Sequence, residues 1–87
     1  MTKEQLLESY LSNLSRKLNE VDYNSTDKEQ LAELVFTIKY QMSQRLNEYF
    51  QQYFIDDLSD EEITAFFELV KKGADEIIAA LPVNFSD

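Results

Sequence analysis

The chain has 87 residues, a length that corresponds to one domain with a single core, and it carries a net charge of −9. It contains no cysteine and no histidine. Disulfide bridges, thiolate metal ligands and cysteine nucleophiles are therefore excluded, and the commonest general base and zinc ligand is missing. The single glycine, Gly73, excludes a glycine-rich loop that would cradle a phosphate.

The first predicted helix spans about residues 3–20. Thr2 and Gln5 match the capping box that starts many helices. The apolar positions then recur every three or four residues, at Leu7, Leu11, Leu14, Leu18 and Val21. This spacing places them on one face of a helix. The turn-forming residues 22–25 follow and predict its end.

The second predicted helix spans about residues 27–54. Thr26 and Glu29 match a second capping box. The apolar series consists of Leu31, Leu34, Val35, Ile38, Met42, Leu46, Tyr49 and Tyr53. At about 1.5 Å per residue this helix is roughly 40 Å long and outreaches the first by about ten residues. A break near residues 41–44 is the alternative, although no residue there requires one.

The third predicted helix spans about residues 60–80. Ser59 and Glu62 match a third capping box, and Pro82 ends the helix. The apolar positions are Ile63, Phe66, Phe67, Val70, Ala74, Ile77 and Leu81. Gly73 interrupts this series as a helix-ending residue would, yet the spacing continues through it. We expect one helix with a kink at Gly73, and two short helices are the alternative.

These three helices predict an all-α fold. The sequence shows no alternating strand pattern and no glycine–asparagine hairpin turn. The short connections favour an up-down-up bundle formed by residues 1–87 as one domain. Residues 82–87 form a short tail, in which we expect Phe85 to fold back onto the bundle.

The negative charge is concentrated in one quarter of the chain. Residues 46–70 contain seven carboxylates and no basic residue. Five of them, Asp56, Asp57, Asp60, Glu61 and Glu62, lie within what we call the acidic segment, residues 56–62. Carboxylates near a helix start complement the helix dipole, which explains the last three. Asp56 and Asp57 are explained less well, and a docking patch for a basic surface is the other interpretation.

Aromatic residues precede the acidic segment. Tyr49 and Tyr53 form one row on the second helix, and Phe50 and Phe54 form the neighbouring row. One interpretation places both rows in the core. The other leaves the tyrosines in an exposed contact surface, where tyrosine flanked by carboxylates is typical of protein-binding hot spots.

The same residues argue against a metal site, a cofactor and an enzyme. Carboxylate oxygens suit Ca²⁺ or Mg²⁺, but the spacing does not match an EF-hand loop and its glycine is absent. Paired catalytic carboxylates need a cleft that a bundle of this size has little room to form.

The sequence favours a small acidic module that docks on and neutralises a basic protein. Immunity proteins against bacterial nuclease toxins and phage-type inhibitors have this design, since nuclease sites are positively charged to hold phosphates. The predicted partner-binding residues are Asp56, Asp57, Asp60, Glu61, Glu62, Tyr49 and Tyr53.

A structural adaptor or homodimer is the alternative. The second helix carries a surplus of apolar residues, and Phe36, Tyr40 and Phe54 would form the interface if they lie outside the core.

Nucleic acid and membranes are not expected as partners. An acidic chain cannot neutralise phosphates and is repelled by anionic lipid surfaces. No apolar stretch is long enough to cross a bilayer, and the first residues do not resemble a signal peptide. We therefore expect a cytoplasmic location.

Overall fold

The computed structural model describes residues 1–24 and 27–83 and contains three helices. They are α1 (Lys3–Asn19), α2 (Lys28–Tyr53) and α3 (Asp60–Ala79). No strand occurs within these ranges. The all-α class is confirmed, and every helix boundary lies within one residue of its predicted position. The helix α2 runs without a break through residues 41–44.

Side chains cap the start of each helix. The capping boxes of Thr2 with Gln5 and of Ser59 with Glu62 are both formed as predicted. The start of α2 differs, because Asp27 is its N-cap and accepts a hydrogen bond from the Gln30 amide at 3.2 Å. This places the helix one residue later than the predicted box, whose first member, Thr26, lies outside the described residues.

The helices alternate in direction. Lys3 lies 3.5 Å from Glu62, so the first turns of α1 and α3 lie side by side. Along α2 and α3, Phe50 stacks on Phe66, while Lys39 forms an ion pair with Asp75. Residue numbers rise on one of these helices as they fall on the other, which makes the pair antiparallel. The arrangement is the predicted up-down-up bundle, and its longest dimension is 46 Å.

A single hydrophobic cluster draws on all three helices. Its largest fully buried members are Phe50, Leu14, Leu18 and Val35, and Phe66, Val70 and the fully buried Ala74 add the α3 side. The Phe50 ring lies 4.8 Å from Phe66 and 5.0 Å from Phe67, both measured between ring centroids. Every buried side chain among the described residues counts as hydrophobic. Tyr10 satisfies its hydroxyl by a 2.9 Å hydrogen bond with Ser43.

Gly73 lies inside α3 and does not divide it into two helices, so that alternative is wrong. A Cβ at this position would lie 2.6 Å and 2.8 Å from the two methyl carbons of Leu11. The glycine therefore permits α1 and α3 to approach closely, and its φ is not positive. A helix-ending signal in the sequence is thus a helix-packing position in the fold.

Tyr23, which follows α1, forms a hydrogen bond back to the end of that helix. Its hydroxyl donates to the backbone carbonyl of Leu18, and partial burial raises the pKa of the phenol above 10.0. At the other end of the chain, Phe85, which we expected to fold back, lies outside the described residues.

Candidate protein-docking surface

The predicted partner-binding residues gather at one end of the bundle. The helix α2 ends at Tyr53, and α3 begins seven residues later. Between them the Asp57 amide donates to the Phe54 carbonyl at 3.0 Å, and Ser59 caps α3. This tight connection keeps the last turn of α2 and the first turn of α3 together. We call this part of the molecule the docking end; it comprises Tyr49, Tyr53 and the acidic segment.

The two aromatic rows of α2 have different environments. Phe50 is fully buried, and the half-buried Phe54 lies 5.8 Å from it between ring centroids. Tyr49 and Tyr53 are 36% and 54% exposed, and their ring centroids are 4.5 Å apart. The interpretation that places both rows in the core is therefore wrong. One row packs against α3, and the other forms a tyrosine pair at the surface.

Four carboxylates of the acidic segment form no ion pair with the residues that the structure describes. Asp56, Asp57, Asp60 and Glu61 are exposed. Within residues 1–24 and 27–83, none of their side chains forms an ion pair or a hydrogen bond with another residue. Like charges this close repel one another, and a cationic surface would relieve the repulsion.

Glu62 differs from the other four. Its carboxylate accepts a hydrogen bond from the Ser59 amide at 3.2 Å and lies 3.5 Å from the Lys3 ammonium. The backbone hydrogen bond at Ser59, then the Ser59 hydroxyl and Lys3, lower the pKa of Glu62. Glu62 thus caps the start of α3 and links this helix to α1 through its ion pair with Lys3. No local sequence pattern indicates Lys3, because it lies 59 positions from Glu62.

The surplus apolar residues of α2 do not stay together. Phe54 packs against the core, whereas Phe36 and Tyr40 are 46% and 63% exposed. Lys39 lies over the Phe36 ring, 5.9 Å from its centroid. The Tyr40 hydroxyl accepts a hydrogen bond from the Gln44 side chain at 2.9 Å. Of the three residues predicted to form an α2 interface, Phe54 therefore belongs to the core, and Phe36 and Tyr40 remain exposed.

Neither a metal cluster nor a membrane span is found in the part of the chain that the structure describes. The acidic segment does not bring three or more carboxylates into an arrangement that could hold an ion. No described helix is both long and apolar enough to cross a bilayer.

Comparison with protein-family models, with curated proteins and with solved structures found no match for this chain.

Proposed function

We propose that this protein is a small acidic binding module, and not an enzyme, that docks on a basic protein through its docking end. The observation that carries the proposal is the set of four exposed carboxylates, which form no ion pair with the described residues, beside an exposed tyrosine pair. No charged side chain is buried among the described residues, and the buried Tyr10 hydroxyl bonds to Ser43, so neither supplies a buried acid–base pair. Binding is thus the better supported class of function.

Charge and aromatic area have separate tasks at such a surface. The carboxylates of Asp56, Asp57, Asp60 and Glu61 would steer a cationic surface and fix its orientation, which raises the association rate more than the affinity. Tyr53, the more exposed ring of the pair, would supply rigid contact area that is buried on binding. Glu62 would contribute less, because its carboxylate is already engaged by Ser59 and Lys3.

The class of partner follows from the sign of the charge. A protein that holds nucleic acid presents clustered lysine and arginine, and an acidic module can cover that surface. A nuclease or a nuclease toxin is a partner of this kind, and neutralising it is the activity of an immunity protein or a phage-type inhibitor. The cytoplasmic location expected from the sequence is part of this proposal.

A charge reversal with a matched control tests the proposal. The immobilised protein is exposed to host lysate, and the proteins eluted by a salt gradient are identified and purified for binding measurements. The test variant is Asp57→Lys with Glu61→Lys. The control is Glu29→Lys with Glu33→Lys, which changes the net charge equally and also places one lysine in the first turn of a helix.

We expect one basic protein to bind the wild type and the control and to be lost by the test variant, with helicity unchanged in circular dichroism. Equal retention by both variants would show that the docking end is not the binding surface. Equal loss from both would show that only the overall charge matters.

Self-association through α2 is a second candidate function. Tyr40 favours it, because this ring is 63% exposed although it lies in the middle of the longest helix. A molar mass that rises with concentration and falls to that of a monomer in Tyr40→Lys would support a homodimer or adaptor. A monomeric mass at all concentrations would exclude self-association.

A further inference from the structure

Two clefts lie between α1 and α3. The first, about 390 Å³, is bounded on α1 by Leu11, Ser15 and Asn19, on α3 by Gly73, Glu76 and Ile77, and just after α3 by Ala80 and Leu81. The second, about 230 Å³, is bounded on α1 by Lys3, Glu4 and Leu7 and on α3 by Glu62, Ala65, Phe66 and Leu69. No residue of α2 lines either cleft.

The two clefts lie in line on one side of the α1–α3 pair, and we call them together the α1–α3 groove. On α3 and at its C-cap their lining positions are 62, 65, 66, 69, 73, 76, 77 and 80, which recur every three or four residues and so share one helix face. Leu7 and Leu11 continue it on α1 in the same way. The close approach of Gly73 to Leu11 forms its middle. From residue 62 to residue 80 this α1–α3 groove is about 27 Å long.

The exposed surface of both clefts is mainly apolar, and the charges in their lining that form no ion pair among the described residues are negative. Leu69 is 53% exposed on one rim, and Leu7 and Leu11 are half-buried along the other. Lys3 and Glu62 neutralise each other. Glu4 and Glu76 are exposed, and neither forms an ion pair with another described residue.

We propose that the α1–α3 groove binds an amphipathic helix that carries basic residues. Its length fits about five turns of helix, and an elongated apolar groove takes a helix through residues spaced by three and four. The inference rests on the proposed function for the charge of the partner, and the groove shares only Glu62 with the docking end.

The positions of the two free carboxylates define the ligand further. Glu4 lies seven residues before Leu11 on α1, and Glu76 lies three residues after Gly73 on α3. Because Leu11 and Gly73 are in contact and the helices are parallel, the carboxylates are separated by about 15 Å along the groove. A docked helix would present basic residues about ten positions apart beside its apolar stripe.

Two synthetic peptides test this inference. Each has about 18 residues, blocked ends and a leucine–alanine stripe of helical spacing, a length at which a helix can form alone. One carries lysines flanking the stripe about ten positions apart, and the other carries glutamates there. Binding is followed by fluorescence anisotropy of the labelled peptide, and its location is read from amide chemical shifts of the ¹⁵N-labelled protein.

The protein variants are Leu69→Lys in the groove and Leu34→Lys as the control. Both leucines are exposed on a helix surface, at 53% and 45%, but Leu34 lies on α2 and lines neither cleft. We expect the lysine peptide to bind with shifts along both groove walls, and the glutamate peptide not to bind. Leu69→Lys should weaken binding at least about tenfold, with Leu34→Lys unchanged.

Three results would overturn the inference. They are no binding of the lysine peptide up to about 1 mM, shifts confined to the acidic segment, or equal binding by both variants. A concentration-dependent mass that Leu69→Lys abolishes would instead identify a second copy of the chain in the groove. If the peptide fails while lysate capture still depends on Asp57 and Glu61, the groove inference fails and the proposed function stands.

Discussion

The contact between Gly73 and Leu11 allows the packing of α1 on α3 to be tested by Gly73→Ala, which adds one methyl group at the contact. In Gly73→Ala the added Cβ would lie 2.6 Å from Leu11 Cδ2, 2.8 Å from Cδ1 and 3.3 Å from Cγ. Because both branches of the leucine are in the way, exchanging them by rotation about χ2 does not clear the space. Either Leu11 changes its χ1 rotamer or the two helices move apart.

Two opposing free energies determine the result. Alanine is better than glycine in a helix interior by about 1 kcal/mol. Forcing an extra methyl into a packed contact costs about 1–3 kcal/mol. We therefore expect Gly73→Ala to lower the free energy of unfolding by about 0–2 kcal/mol in the wild type. In a Leu11→Ala background the steric cost disappears, and the same change should raise it by about 1 kcal/mol.

Urea denaturation of the four proteins, which are the wild type, the two single variants and the double variant, gives the coupling between the positions. Its expected size is about 1–3 kcal/mol. A coupling below about 0.5 kcal/mol, with Gly73→Ala stabilising in both backgrounds, would refute the close approach of α1 and α3. The same result would contradict the description of the α1–α3 groove, which has this contact at its centre.

Three further predictions concern the core, the α3 cap and the α1–α2 connection. Phe50→Ala should lower the free energy of unfolding by about 3–5 kcal/mol in urea, because Phe50 is fully buried. Tyr53→Ala should change the free energy of unfolding by less than about 0.5 kcal/mol, because Tyr53 is exposed. Similar losses of stability in the two variants would contradict the assignment of Phe50 to the core and Tyr53 to the surface. Glu62 has a lowered pKa, so its stabilising effect is present above pH 4.5 and is lost as the pH falls through the lower folded value. Glu62→Gln keeps a capping side chain but cannot titrate, so its free energy of unfolding should fall less on acidification than that of the wild type. Parallel curves of unfolding free energy against pH would exclude a stabilising role of the Glu62 charge. Burial raises the pKa of Tyr23, so the stability that depends on its protonated phenol is lost as the pH rises above 10.0. Tyr23→Phe should lower the free energy of unfolding by about 1 kcal/mol at neutral pH. Urea denaturation at neutral and alkaline pH should show that the variant loses less stability than the wild type as the pH rises. An equal loss in both proteins would exclude a stabilising role of the Tyr23 hydroxyl.

Local rules determined the helices and their limits. The capping boxes at Thr2 and Ser59 and the three apolar series are properties of short segments, so they could be read from the sequence. The same is true of the position of the acidic segment, because it is a run of neighbouring residues. The prediction of one helix through Gly73 is confirmed, but the reason for a glycine there could not be read locally, since the residue that requires it is Leu11, on another helix.

The exposure of each residue depended on tertiary packing. The predicted apolar series of the second helix runs through Tyr49 and Tyr53, but the position of α3 decides that Phe50 stacks on Phe66 while Tyr49 remains at the surface. The pairing of Lys3 with Glu62 and the groove between α1 and α3 likewise join residues about 60 positions apart. The sequence by itself determined which segments are helical and where the charge lies, because hydrogen bonding and capping act within a few residues. Which side chains stay available to a partner was decided by the tertiary structure, because burial depends on contacts between distant segments.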